Sequence, residues 1–230
     1  GMGLERIVRV LQGKNSNYAT DLWTPIFDAI REHSGAAPYG DVLDDPVDIA
    51  YRVIADHIRC LTVALADGAR PGNEGRGYVL RRILRRGVRM AHQTLGVEGP
   101  MLCKLVASVA DSLGDAFPEI RAKQDEVATI VRDEEDAFLR TIDRGLVLFG
   151  NATLAAIAAA KPEVAAADGV EPESITPEWI ARHIGVTPVI SADDAFKLHD
   201  TYGFPIDLTR VMAEERGLAV DESGFAAQMD

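Results

Sequence analysis

The segment Pro71–Met90 joins a glycine-rich turn to a helix whose two faces differ in chemistry. On a helix of about 3.6 residues per turn, the residues of one face are apolar or small. They are Leu80, Ile83, Leu84, Gly87, Val88 and Ala91. The opposite face carries only arginine, at Arg81, Arg82, Arg85, Arg86 and Arg89. Such a helix can bury one face in a core and present positive charge on the other. The pattern therefore predicts a helical domain with a basic surface.

The charge of the chain is unevenly distributed. Its net charge is -12, which by itself argues against a nucleic-acid partner. Residues 70–92, however, hold seven arginines and one acid, a local charge of +6. A basic patch on an acidic body directs an anion to one place. The alternative, that these arginines pair with the chain's own acids, stays open.

Composition excludes several classes of protein. The contents of 47% apolar and 26% charged residues are those of a soluble globular protein. Cys60 and Cys103 have no nearby Cys or His at ligand spacing, which predicts reduced thiols in the cytoplasm and no metal site. No apolar run approaches the roughly eighteen residues of a membrane span, and no signal peptide is visible at the start. We therefore expect a cytoplasmic protein that does not contact a membrane.

Helical periodicity dominates the chain. It predicts a predominantly all-α fold, a bundle of about eight helices with little or no sheet. The clearest predicted helices are Thr20–His33, Pro46–Ala66, Pro100–Leu113, the longest one at Glu119–Phe149, and a short one at Pro177–His183. Residues 151–187 contain several prolines and an acidic stretch, which indicates an insertion.

Two groups of polar residues have ordinary structural interpretations. His57 lies close to the apolar side of its helix, which favours a packing role over a catalytic one. Asp133, Glu134, Glu135 and Asp136 are consecutive acids in the longest helix. Because adjacent helical residues point in different directions, we expect a solvated face here and not an acid–base pair.

Several blocks of sequence resemble one family. The first, Gly1-Met-Gly-Leu-Glu-Arg6, resembles the third signature of class II aminoacyl-tRNA synthetases in its alanine-specific form, which Asn15–Tyr18 and Asp21-Leu22 continue. The other blocks look like the tRNA-recognition region of alanyl-tRNA synthetases: Arg52–Arg59, Asn73–Arg82 and Phe196–Pro205. Four blocks in this order over nearly the whole chain indicate that family. Nothing in residues 151–187 is recognised.

The resemblance implies a division of the chain. Residues 1–33 would end the class II catalytic domain, and residues 34–150 would form the helical tRNA-recognition region. Residues 151–190 would be an insertion or linker, and residues 191–230 the C-terminal part of the recognition region. In the family, a catalytic sheet precedes this region and a zinc-binding editing domain follows it. We therefore expect a middle piece of a ligase that is not catalytic alone and binds no cofactor or metal.

The resemblance also implies a role in catalysis by the intact enzyme. The family activates alanine with ATP and Mg²⁺ and transfers it to its tRNA. Arg6 matches the arginine that holds the ATP γ-phosphate, and Gly1 and Gly3 match the glycines that floor the adenylate pocket. Guanidinium suits phosphate because it is planar and permanently charged. From the residues alone, a Gly-x-Gly pattern is weak and a surface position for Arg6 is equally compatible.

A second implied site would read the acceptor stem of tRNA-Ala. Asn73 and Asp200 match the family's readers of a guanine–uracil wobble pair, whereas from the residues alone they are a turn residue and a helix-terminal cap. The arginines would neutralise phosphates, Arg82, Arg86 and Arg89 more than Arg81 and Arg85. A competing hypothesis is a helical interaction scaffold whose arginine face binds an acidic protein.

Overall fold

The structure, a computed structural model, describes residues 3–165 and 171–229. These residues form twelve α-helices and two short strands, so the predicted all-α class is confirmed. The helices are α1 Leu4–Leu11, α2 Thr24–Ser34, α3 Pro46–Ala66, α4 Gly75–Gln93, α5 Leu102–Leu113, α6 Pro118–Ala122, α7 Gln124–Ala160, α8 Pro162–Ala165, α9 Pro177–His183, α10 Ala192–Tyr202, α11 Ile206–Glu215 and α12 Glu222–Met229. The strands are β1 Val189–Ile190 and β2 Ala219–Val220.

The chain divides into two compact units, Gly1–Leu139 and Arg140–Asp230, and the boundary falls within α7. The first unit is organised around α3, which packs against both α4 and α5. Tyr51, Ile54, Ile58 and Leu61 of α3 are completely buried. Asp45 caps the helix by accepting a hydrogen bond from the Asp48 amide at 2.9 Å, and a proline follows the cap. This helix has the bounds that the sequence predicts.

The second unit contains the only strand pair among the described residues. Strands β1 and β2 are parallel, with Val189 opposite Ala219 and Ile190 opposite Val220. Helix α10 begins directly after β1, where the Ser191 side chain accepts a hydrogen bond from the Asp194 amide at 3.1 Å. Helix α10 packs against α11 and α12. The pair is short enough to agree with the expectation of little or no sheet.

The bounds of the longest helix differ from the prediction. In place of one helix at 119–149, α6 ends at Ala122 and α7 runs from Gln124 to Ala160. The extension covers an alanine-rich stretch that we assigned to the insertion, and alanine has the highest helix propensity. Several of the additional helices are short, which explains why their number exceeds about eight.

Helix α7 is apolar enough to be considered as a membrane span. It has 37 residues and contains an 18-residue stretch of mean hydropathy 1.3, the only such helix in the described ranges. Of that stretch, 44% is buried inside the protein. Core helices of soluble proteins pass the same test, so this is weak evidence for a membrane.

Candidate functional site

The turn before α4 places Asn73 on the surface. Gly77 allows this turn to fold back on the helix, because a Cβ there would lie 2.8 Å from the carbonyl oxygen of Arg70 and 2.9 Å from the amide nitrogen of Gly72. Asn73 itself is exposed. The close approach at Gly77 therefore accompanies an exposed amide side chain just before the start of α4.

Arg81 connects Asn73 to the acidic run of α7. Its Nε and Nη2 atoms donate to Glu134 Oε2 at 3.0 Å and Oε1 at 2.7 Å. Its Nη1 atom donates to Asn73 Oδ1. The Arg81 and Glu134 side chains are only 21% and 17% exposed. The charge of Arg81 is therefore neutralised within the first unit, as in the alternative that pairs the arginines with the chain's own acids.

The remaining arginines are less exposed than the helical pattern predicts. Arg89 is 5% exposed, and the Arg85 guanidinium lies 5.2 Å from the centre of the Phe138 ring. Burial, helped by the charge of Arg81, lowers the pKa of Arg85 to about 10. Arg82 and Arg86 are half-buried. The prediction of an outward arginine face is wrong for Arg89, which is buried. Residues of α7 also cover part of this face, at Arg81 and Arg85.

Arg6 and Gly3 lie at the start of α1. Arg6 is exposed, and Gly3 is the N-cap residue, with no side-chain hydrogen bond capping the helix. Glu5 anchors α1 by accepting a hydrogen bond from Arg59 Nη2 at 2.5 Å. The guanidinium carbon of Arg59 lies 4.0 Å from the centre of the Trp23 ring. Backbone hydrogen bonding and Arg59 lower the pKa of Glu5 despite its partial burial. Gly1, also predicted to contact the adenylate, lies outside the described residues.

Asp200 lies in the second unit, in the last turn of α10, and is exposed. The end of this helix is held in place by its neighbours. Thr141 Oγ1 donates to the Tyr202 carbonyl at 2.9 Å, and the Phe204 amide donates to the Leu198 carbonyl at 2.9 Å. Since Asn73 and Asp200 belong to different units, their convergence on one ligand stays a prediction.

Sequence reasoning missed the role of Glu135. This residue is 1% exposed and accepts three backbone hydrogen bonds at the start of α5, from Met101 at 3.0 Å and from Leu102 and Cys103 at 2.8 Å. Burial raises the pKa of Glu135, although these bonds act in the opposite direction. The prediction of a solvated face is therefore wrong for Glu135. A signal existed, because α5 begins without a capping side chain of its own.

His57 has the properties of a packing residue. Burial, helped by the nearby charge of Arg86, lowers the pKa of His57 to about 4. The imidazole is therefore neutral at physiological pH. Within residues 3–165 and 171–229, no cluster of three or more His, Cys, Asp or Glu side chains could hold a metal ion.

Comparison with known proteins identifies the family. The family model described as tRNA synthetases class II (A) matches residues 1–167 and 176–230. The chain is 52% identical over 225 residues to an alanine–tRNA ligase of Chlorobium phaeobacteroides and 45% identical over 232 residues to that of Schizosaccharomyces pombe. These alignments cover 98% and 99% of this chain but 22% of each relative. The chain thus spans about a fifth of their length. The resemblance to alanyl-tRNA synthetases is confirmed, and the chain belongs to the class II (A) tRNA synthetase family.

Proposed function

We propose that this chain is part of an alanine–tRNA ligase, and that it contacts the acceptor stem of the tRNA. The ligase assignment is supported by relatives of that name that align with nearly all of the chain. The acceptor-stem assignment is supported by one observation: Asn73 and Asp200 are both exposed, although each adjoins a tightly packed element.

The chemistry of these side chains suits a guanine–uracil wobble pair. An RNA helix presents a wide, shallow minor groove, and the guanine amino group that projects there has no partner within a wobble pair. The Asp200 carboxylate accepts hydrogen bonds only, so it suits that amino group. The Asn73 amide can donate to the uracil O2 atom or to a ribose 2′-hydroxyl. In a guanine–cytosine pair the guanine amino group already donates a hydrogen bond to cytosine. Its contact with the Asp200 carboxylate is therefore weaker.

In this proposal, fewer arginines contact phosphates than the sequence predicts. Arg82 and Arg86 are half-buried and lie on one side of α4, and we assign the phosphate contacts to them. Arg81 is paired with Glu134 and Arg89 is buried, so both are poorly placed for phosphate. Contacts of this kind set the position of the RNA without reading its sequence.

Arg6 serves the ligase reaction in this proposal. Arg6 is exposed in the first turn of α1, beside Gly3, which has no side chain to cap the helix, and its guanidinium suits the γ-phosphate of ATP. When bound, ATP supplies the anhydride that activates the alanine carboxylate. ATP, Mg²⁺ and alanine are ligands of the intact enzyme.

Replacing Asp200 by asparagine is expected to lower the discrimination between guanine–uracil and guanine–cytosine minihelices by roughly tenfold, the effect of losing one charged hydrogen bond. General affinity should fall less, because Asp200 contacts no phosphate. The measurement is the ratio of the two Kd values by fluorescence anisotropy with the 230-residue chain. Asp111→Asn, an exposed site on α5, is the matched control. Unchanged discrimination in Asp200→Asn would remove Asp200 from the proposed site.

Replacing Arg86 by alanine is expected to weaken both minihelices alike. The slope of log affinity against log salt concentration should become shallower by about one unit, because one phosphate contact is lost. Arg182→Ala, an exposed arginine on α9, should leave both affinity and slope as they are. A change in discrimination alone would contradict the phosphate role of Arg86. Equal binding to both minihelices by the unmodified chain would contradict wobble recognition and remove the specific role of Asn73 and Asp200.

A further inference from the structure

We propose that Arg81 and Glu134 hold the Asn73 amide in one orientation, with its oxygen turned inward and its NH₂ group presented to the ligand. Arg81 is then a positioning residue and not a phosphate contact. The identity of the ligand rests on the proposed function above, whereas the orientation of the amide rests on the contacts within the first unit.

The orientation follows from the chemistry of the guanidinium group. Arginine has five N–H donors and no acceptor. The amide atom that faces Arg81 Nη1 must therefore be an acceptor, and Asn73 Oδ1 is the atom found there. A flipped amide would place its NH₂ group against another donor. Asn73 is exposed, so the NH₂ group that remains is available to a ligand.

Glu134 fixes the guanidinium that makes this contact. Two of the three nitrogens of Arg81, Nε and Nη2, are held by the two carboxylate oxygens of Glu134 at 3.0 and 2.7 Å. The third nitrogen, Nη1, then points at Asn73. A side-on ion pair of this kind requires the planar fork of arginine, and a lysine ammonium cannot reproduce it. The low exposure of both side chains, 21% and 17%, limits competition from water.

The arrangement restricts what Asn73 can recognise. A free amide both donates and accepts, but the oxygen of this one is already engaged by Arg81. Asn73 therefore selects an acceptor on its ligand, such as a base carbonyl or a ribose oxygen, and does not select an amino group. In the proposed complex, each base of the wobble pair is therefore recognised by a different side chain. Asn73 reads an acceptor on the uracil side, and Asp200 reads the guanine amino group.

The test measures discrimination between the two minihelices in two kinds of variant. One keeps the positive charge at position 81, and the other keeps a hydrogen-bond acceptor for Arg81 at position 73. Arg81→Lys preserves the positive charge but not the fork, so a phosphate role predicts little change. The positioning role predicts a loss of discrimination of about three- to tenfold, equal to that of Asn73→Ala. Asn73→Asp keeps an acceptor for Arg81 but has no donor, and should lose as much. The double variant Asn73→Ala with Arg81→Lys should lose no more than either single one.

A measurement on the chain without RNA separates this inference from the proposed function. The side-chain NH₂ resonance of Asn73, followed by ¹⁵N relaxation, should report an ordered group that becomes mobile in Arg81→Lys and in Glu134→Gln. Arg132→Lys, an exposed site on the same helix as Glu134, should leave it ordered. The side-chain amide of Asn151, exposed in the second unit, is the internal reference.

The possible outcomes are distinct. An ordered Asn73 amide in a chain that does not discriminate between minihelices would support the positioning inference and reject wobble recognition. An Asn73 amide as mobile in the unmodified chain as in Arg81→Lys would overturn the inference. Full discrimination by Asn73→Asp would also overturn it, because the oxygen and not the NH₂ group would then be the recognising atom.

Discussion

Replacement of Glu135 by alanine is expected to lower the free energy of unfolding of the first unit by about 3–5 kcal/mol. The carboxylate accepts hydrogen bonds from the backbone amides of Met101, Leu102 and Cys103, which are all buried residues. Removing it leaves these donors without an acceptor at the start of a helix that has no capping side chain of its own. Truncation would also open a cavity among buried residues, which adds to the loss.

Two variants separate the capping role from the loss of charge. Glu135→Gln retains one acceptor oxygen and is expected to lose about half as much as the alanine variant. Asp133→Ala, an exposed neighbour in the same acidic run, should lie within about 0.5 kcal/mol of the unmodified chain. A loss below about 1 kcal/mol for Glu135→Ala would show that water satisfies these amides.

Unfolding of the two units can be followed separately. The chain has two tryptophans, Trp23 in the first unit and Trp179 in the second. Labelling with 5-fluorotryptophan gives one ¹⁹F NMR signal for each unit during a urea titration. Glu135→Ala should shift the midpoint of the Trp23 signal more than that of the Trp179 signal. This design does not require the chain to unfold in a single two-state transition.

Replacement of Gly145 by alanine is expected to destabilise the second unit by about 2 kcal/mol, although alanine is the better helix former. A Cβ at this position of α7 would lie 2.1 Å from Cε2 and 2.7 Å from Cζ of the Phe204 ring. Phe204 is completely buried, so the ring has no open space into which it can move. The steric cost should therefore exceed the gain in helix propensity.

Ala155→Gly calibrates the propensity term. Ala155 is an exposed residue of the same helix, and its replacement is expected to cost about 1 kcal/mol through propensity alone. The ¹⁹F signal of Trp179 gives both values. If Gly145→Ala stabilised the second unit by the amount that Ala155→Gly destabilises it, the close packing of Phe204 against α7 would be disproved.

The helices were predictable where their signals are local. Pro46 at the first turn, with a capping side chain before it, fixes the start of α3, and the apolar periodicity carries the helix to Ala66. The break between α6 and α7 was not predictable in this way. It lies at Lys123, whose Nζ atom donates to the Ala66 carbonyl at 2.5 Å, a contact that exists only after the chain folds.

The buried face of α4 was predictable from the sequence, but the exposure of its arginines was not. Helical periodicity separates the two faces of α4 but does not say how many neighbours cover the helix. The apolar face packs on α3, as the pattern predicts. On the other side, Arg81 donates a hydrogen bond to Glu134 of α7, and the guanidinium of Arg85 lies over the ring of Phe138 of α7. These partners are more than fifty positions away in the sequence, so no local pattern could identify them.

The contact between Asn73, Arg81 and Glu134 also has an evolutionary consequence. In the proposed positioning role, the orientation of the Asn73 amide depends on Arg81, and the orientation of Arg81 depends on Glu134. A substitution at one position would remove the advantage of keeping the original residue at the others. Selection would then act on positions 73, 81 and 134 as one inherited unit, and a functional exchange would require coordinated changes at all three.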